Sequence, residues 1–156
     1  MVTRRSSLRP LPPPSRPASG EGAREPFLGK YALVAELARG GMGIIHLAVA
    51  HGPGGFAKLF IVKELKPELA RHPGCVSMFV EEARVAGRLA HPNIVQTIEV
   101  GQDGNRHFIV MEYLQGQPLI RIRKRRRGAF TRAAELRVVQ EALRGLHYAH
   151  TLKADD

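Results

Sequence analysis

Three glycines fall within four positions, Gly40, Gly41 and Gly43, between two stretches that read as strands. A backbone free of Cβ atoms can approach anionic oxygens closely and offer them its N–H groups, so such a turn suits a phosphate. Alone the signal is weak, because glycine-rich hairpin turns are common for conformational reasons. Further along, residues 58–64 are rich in bulky and β-branched side chains. Strand geometry puts Leu59, Ile61 and Lys63 on one face and Phe60, Val62 and Glu64 on the other. Lys63 thus shares a face with two apolar neighbours. Glu82 sits three residues after Phe79 and four before Ala86, close to the apolar stripe of a helix instead of opposite it. Two readings stay open on spacing alone. Lys63 and Glu82 face one another across strand and helix, each offsetting the other's desolvation, or Lys63 snorkels while Glu82 pairs with Arg84 or Lys58 at the surface.

The elements that must position these residues follow from periodicity. Strands are predicted over 31–37, 44–50 and 58–64, with a Gly- and Pro-rich turn at 51–57. Val76, Phe79, Ala83, Ala86 and Leu89 or Ala90 recur at helical spacing and predict an amphipathic helix over 74–90, ending before Pro92. Two more strands, 95–100 and 107–113, flank a Gly-Gln-Asp-Gly-Asn turn of hairpin character. A short helix is expected over 118–126. A longer one over 131–150 places Leu136, Val139, Leu143 and Leu146 on a stripe that needs a covering surface.

The net charge of +10 is concentrated at two places: five Arg against two Glu in residues 1–26, and six cations from Arg121 to Arg127. The remainder is nearly neutral, which argues against a broad nucleic-acid-binding face. Six Pro, five Arg and four Ser make residues 1–26 a leader expected to be disordered. The 121–127 block is read as a solvated helix, with binding of nucleic acid or an acidic partner by counterion release as the alternative. One cysteine, Cys75, excludes a disulfide framework and a cysteine-based zinc site and fits a reducing compartment. No apolar run has the roughly 20 residues that span a bilayer, so a cytoplasmic location is expected. His147 and His150 lie three apart on the last helix, where ordinary helix residues are the simpler reading than metal ligands.

Leu37 to Ile45 (LARGGMGII) resembles the glycine-rich loop of protein kinases, and Phe60-Ile61-Val62-Lys63 is similar to that family's Val-Ala-Ile-Lys strand. Glu82 falls where the family carries its ion-pair glutamate. His91-Pro92-Asn93-Ile94-Val95 is similar to the turn into the fourth strand, and Met111-Glu112-Tyr113-Leu114 resembles the gatekeeper and hinge. With Gly145 to His150 (GLHYAH), the pattern most resembles bacterial serine/threonine kinases of the eukaryotic-like type. The implied fold is α+β: a five-stranded antiparallel sheet with one packed helix (27–114, lobe and hinge), then a helical start of a second lobe (115–156). The implied cofactor is ATP. Gly40, Gly41 and Gly43 would cover its phosphates, and Ile45 and Ile61 would pack at adenine beside Met111. The backbone of Glu112 and Leu114 would bind the adenine edge, and Lys63, paired with Glu82, would contact the α- and β-phosphates.

The sequence departs from the family pattern at three points. Ala38 replaces the first loop glycine, a cost of about 1–2 kcal/mol if that site needs positive φ. Ile61 replaces a small alanine and tightens the adenine pocket. No residue matches the catalytic base or either Mg²⁺ ligand, so the resemblance implies a fragment that does not transfer phosphate alone and uses Mg²⁺ only when a second half is supplied. The implied partners are ATP and a protein substrate. The alternative is a non-catalytic module that binds a partner kinase or an acidic partner.

Overall fold

The computed structural model describes residues 27–125 and 131–152. The 1–26 leader and the end of the basic block lie outside the described residues. Strand β1 (Phe27–Leu28), β2 (Tyr31–Arg39), β3 (Gly43–His51), β4 (Ala57–Leu65), β5 (Thr97–Asp103) and β6 (Arg106–Glu112) form one antiparallel sheet in the order β1-β2-β3-β4-β6-β5. Among the described residues four α-helices accompany it: α1 (Pro67–Ala70), α2 (Pro73–Gly87), α3 (Leu119–Arg125) and α4 (Arg132–Thr151).

The sheet has six strands where the sequence predicts five. The extra strand, β1, has two residues, too few to show alternation. It forms because Gly29 adopts φ +55° in the turn that folds Leu28 back onto Tyr31. The short helix α1 is likewise missing from the sequence reading. Helix α2 ends at Gly87, three residues short of expectation, because Arg88 N–H and Leu89 N–H donate to the carbonyls of Val85 and Ala86, an i→i+3 tightening that closes the last turn.

Alternation in the central strands separates two apolar clusters. One face carries Leu28, Tyr31, Ala48, Val62, Phe108 and Val110. The other joins Leu65 and Ile109 to Phe79 and Ala83 of α2, and these are the two buried positions of the predicted helical stripe. Residues far apart in sequence tie the sheet's edges. Tyr31 Oη donates to Glu99 at 2.6 Å, Gly29 N–H donates to Asp103 at 3.1 Å, and Arg106 Nη1 donates to the Phe27 carbonyl at 2.9 Å. The sheet is therefore curled, with its β1–β2 edge held against the β5–β6 hairpin.

Helix α4 starts on Thr131, whose side chain accepts from Ala134 N–H at 3.2 Å. It docks on the loop after α2. Asn93 Nδ2 donates to the Glu141 carbonyl (2.8 Å) and carboxylate (2.9 Å), and His91 lies against the Tyr148 ring. Gly145 is buried there, since a Cβ would stand 3.3 Å from the Asn93 carbonyl oxygen. Leu136, Val139, Leu143 and Leu146 on another side of α4 are each more than half exposed.

Candidate functional site

The turn between β2 and β3 is closed by Gly40 N–H donating to the Gly43 carbonyl at 2.9 Å. Lys66 N–H donates to the Met42 carbonyl at 3.1 Å, and the Met42 side chain packs on the cluster around Phe79. Gly43 is required by space. A Cβ there would stand 2.8 Å from the Glu64 carbonyl oxygen and 3.4 Å from Lys63 Cγ. A Cβ added at Gly41 would meet nothing within 4 Å, so that residue faces open space. Ala38 lies in β2 opposite Ile45, and no non-glycine residue among those described has positive φ. The strain expected at Ala38 therefore does not arise, because the chain is extended there.

Lys63 projects from β4 on the face of Ile45, its partner on β3, and of Ile109, its partner on β6. Ile61 lies opposite Leu47 on β3 and Met111 on β6, so Ile45, Ile61, Lys63 and Met111 share one half-buried face. Lys63 Nζ donates to Glu82 Oε1 at 2.5 Å and lies 5.6 Å from the Phe79 ring centroid. Of the two readings left open, the structure adopts the facing pair. Arg84 instead holds Glu81, at 2.9 and 3.0 Å, and Lys58 lies over the Phe60 ring. Burial accounts for only one partner, because the Lys63 side chain is 21% exposed and that of Glu82 is 52% exposed. A pair so open to solvent adds at most about 1 kcal/mol to stability; its effect is to aim the ammonium. Beside it runs a cleft lined by Met42, Met78, Glu81, Glu82 and Val85.

At the end of β6, Glu112 N–H donates to the Gln96 carbonyl at 3.0 Å and its carboxylate accepts from Gln96 N–H at 2.8 Å. Leu114, two residues beyond, is exposed. Cys75 is half-buried in the first turn of α2. His147 and His150 lie on α4.

Sequence reasoning missed a buried polar cluster behind Lys63. Glu64 is 1% exposed on the opposite face of β4 and accepts from His46 Nε2 at 3.1 Å and from Arg106 Nε at 2.8 Å. Burial pushes its carboxyl up, and the hydrogen bonds from His46 and Arg106 outweigh this and hold it down at about 2. The available signal was alternation itself, which puts a carboxylate in register with the apolar Phe60 and Val62.

Residues 31–154 match the family model described as the protein kinase domain. The chain is 44% identical over 125 residues to the tyrosine-protein kinase MasK of Myxococcus xanthus, covering 78% of this chain and 19% of that protein. It is 32% identical over 127 residues to the serine/threonine-protein kinase PknA of Mycobacterium tuberculosis, covering 78% of this chain and 28% of that one. Among solved structures, the kinase domain of Mycobacterium tuberculosis PknI superposes with a TM-score of 0.60 at 28% identity, over 85% of this chain and 52% of the other. The chain thus spans about half the length of that solved domain and less than a third of the two relatives.

Proposed function

The chain belongs to the protein kinase domain family, and on that premise we propose that it forms the nucleotide-positioning part of a protein kinase that transfers a phosphoryl group from ATP to a protein hydroxyl. The observation that supports this best is the Lys63–Glu82 ion pair, on the same sheet face as Ile45, Ile61 and Met111 and packed against the glycine turn. Phosphoryl transfer is mostly alignment and neutralisation of charge, and a lysine whose ammonium is aimed by a carboxylate is the kind of group that holds α- and β-phosphates. The turn of Gly40, Gly41 and Gly43 would cover the phosphates, with the Gly40 N–H holding the turn closed on the Gly43 carbonyl. The Glu112 carbonyl and the Leu114 backbone would bind the adenine edge.

In this reading residues 27–114 form the lobe and hinge, 115–156 begin the second lobe, and the protein works in the cytoplasm. Magnesium would arrive bound to the ATP phosphates. Among the described residues no group of three or more His, Cys, Asp or Glu side chains is placed to hold a metal. Nor is any described helix long and apolar enough to cross a membrane.

The acceptor is proposed to be serine or threonine, as the names of PknA and similar relatives indicate for those proteins. A tyrosine acceptor is the second reading, favoured by the name of the 44%-identical relative. Two measurements test the proposal. Mg·ATP should raise the melting temperature of the chain and fail to do so for Lys63→Ala; equal shifts in both would refute the assignment of Lys63. Phosphoamino-acid analysis of a substrate labelled by the whole gene product then separates serine and threonine from tyrosine.

A further inference from the structure

Burial alone gives no reason for a carboxylate at position 64. Val62 and Phe60 precede it on its face of β4, and Ile44 and Phe108 stand opposite it in register. A buried, paired charge is often no better for stability than an apolar side chain of similar size, whereas its hydrogen bonds are directional and the apolar contact is not. The direction of these bonds matters here. β4 lies between β3 and β6, and Glu64 accepts from one side chain on each: His46 on β3 and Arg106 on β6. Both donors are diagonal neighbours, since His46 is two residues from Ile44 and Arg106 two from Phe108, the direct partners of Glu64.

The carboxylate therefore locks the register of β4 against both neighbours at once, at the residue adjoining Lys63. A slip of one residue would carry Lys63 to the opposite face. The lock also reaches the glycine turn and the first strand. The Glu64 carbonyl is the atom that closes on Gly43, and Arg106 spans from the Glu64 carboxylate to the Phe27 carbonyl. Glu64 carries its charge at neutral pH, as its carboxyl is held at about 2.

We propose that Glu64, clamped by His46 and Arg106, is a positioning residue that fixes where Lys63 presents its ammonium on the other face of β4. In its consequence for ATP this rests on the nucleotide reading above; in its consequence for the Lys63–Glu82 pair it does not.

The test compares the chain with Glu64→Gln, Glu64→Leu and Arg106→Lys. Three readouts are taken by NMR: the backbone amide spectrum as a measure of folding, the NOE between the Lys63 ε-methylene and Glu82 γ-methylene protons, and titration with Mg·ATP and with adenosine. In Glu64→Gln the NOE should disappear while the amide spectrum keeps its dispersion. Mg·ATP affinity should fall about tenfold, the loss of one charge-assisted hydrogen bond, with adenosine affinity unchanged. Should both Glu64 variants unfold, Arg106→Lys, which keeps the carboxylate and a cation, decides by the same readouts. An unchanged NOE in the folded variants, or equal weakening of ATP and adenosine, overturns the proposal. Failure of the unaltered chain to bind either nucleotide would count against the nucleotide reading, and the NOE comparison would still decide the role of Glu64.

Discussion

Replacing Gly43 by alanine tests how closely the glycine turn is fitted to the strand that carries Lys63. The added Cβ would lie 2.8 Å from the Glu64 carbonyl oxygen, where an ordinary C···O contact is about 3.3–3.6 Å. The strands must part by about half an ångström, at a point where Gly43 faces Leu65 and Ile44 faces Glu64 in register. Overpacking of this kind costs about 1–3 kcal/mol, and the lower entropy of the unfolded alanine chain returns about 0.4–1 kcal/mol. Gly41→Ala is the matched control, because nothing lies within 4 Å of its Cβ position and its φ is not positive. It should be neutral or slightly stabilising. The two variants should therefore differ by about 2 kcal/mol, a melting-temperature gap of about 4–8 °C for a chain of this size. Urea and thermal unfolding followed by circular dichroism measure both. Equal stability of the two variants would refute the claim that Gly43 is demanded by the approach of β4.

Acid should act through Glu64. Its carboxyl titrates at about 2 in the folded chain, below the usual 4.5, so its contribution is present above pH 4.5 and is lost as pH falls through about 2. The contribution is on the order of 3 kcal/mol, and Glu64→Gln should flatten the dependence of unfolding free energy between pH 5 and 2. Asn93→Ala removes two hydrogen bonds to Glu141. It should raise hydrogen exchange in α4 while leaving the sheet protected; uniform loss of protection would contradict the separate docking of that helix. The stripe of Leu136, Val139, Leu143 and Leu146 should make the chain self-associate with rising concentration. Leu143→Lys should reduce this in sedimentation velocity with stability changed by less than about 0.5 kcal/mol, since the position is already exposed.

How much of this was legible in the sequence depended on the range of the interaction. Alternation over 58–64 put Lys63 and Ile61 on one face, and the 3.6-residue period of α2 brought Phe79 and Ala83 into the core, because both are properties of a single element. The face of Lys63 was legible; its partner was not, since spacing along α2 put Glu82 near the stripe without saying whether strand or solvent lay beside it. Glu82 is half exposed, so shared desolvation explains the lysine's side of the pair and not the glutamate's. The Glu64 clamp was hidden because it needs the register of three strands together, and Arg106 is 42 residues away in sequence. Closure of the sheet by Tyr31 and Glu99 was invisible on the same ground. Strand β1 escaped notice because two residues carry no period, and the strain expected at Ala38 vanished once the chain proved extended there.

Whether one face of this sheet is built to hold ATP is tested most directly by titrating the ¹⁵N-labelled chain with Mg·ATP and mapping the amide shifts. They should concentrate at Gly40, Gly41, Gly43, Ile45, Ile61, Lys63, Met111, Glu112 and Leu114, and lose their phosphate-side members when adenosine replaces ATP. Shifts confined to the basic helix α3, or spread without pattern over the surface, would contradict the nucleotide site.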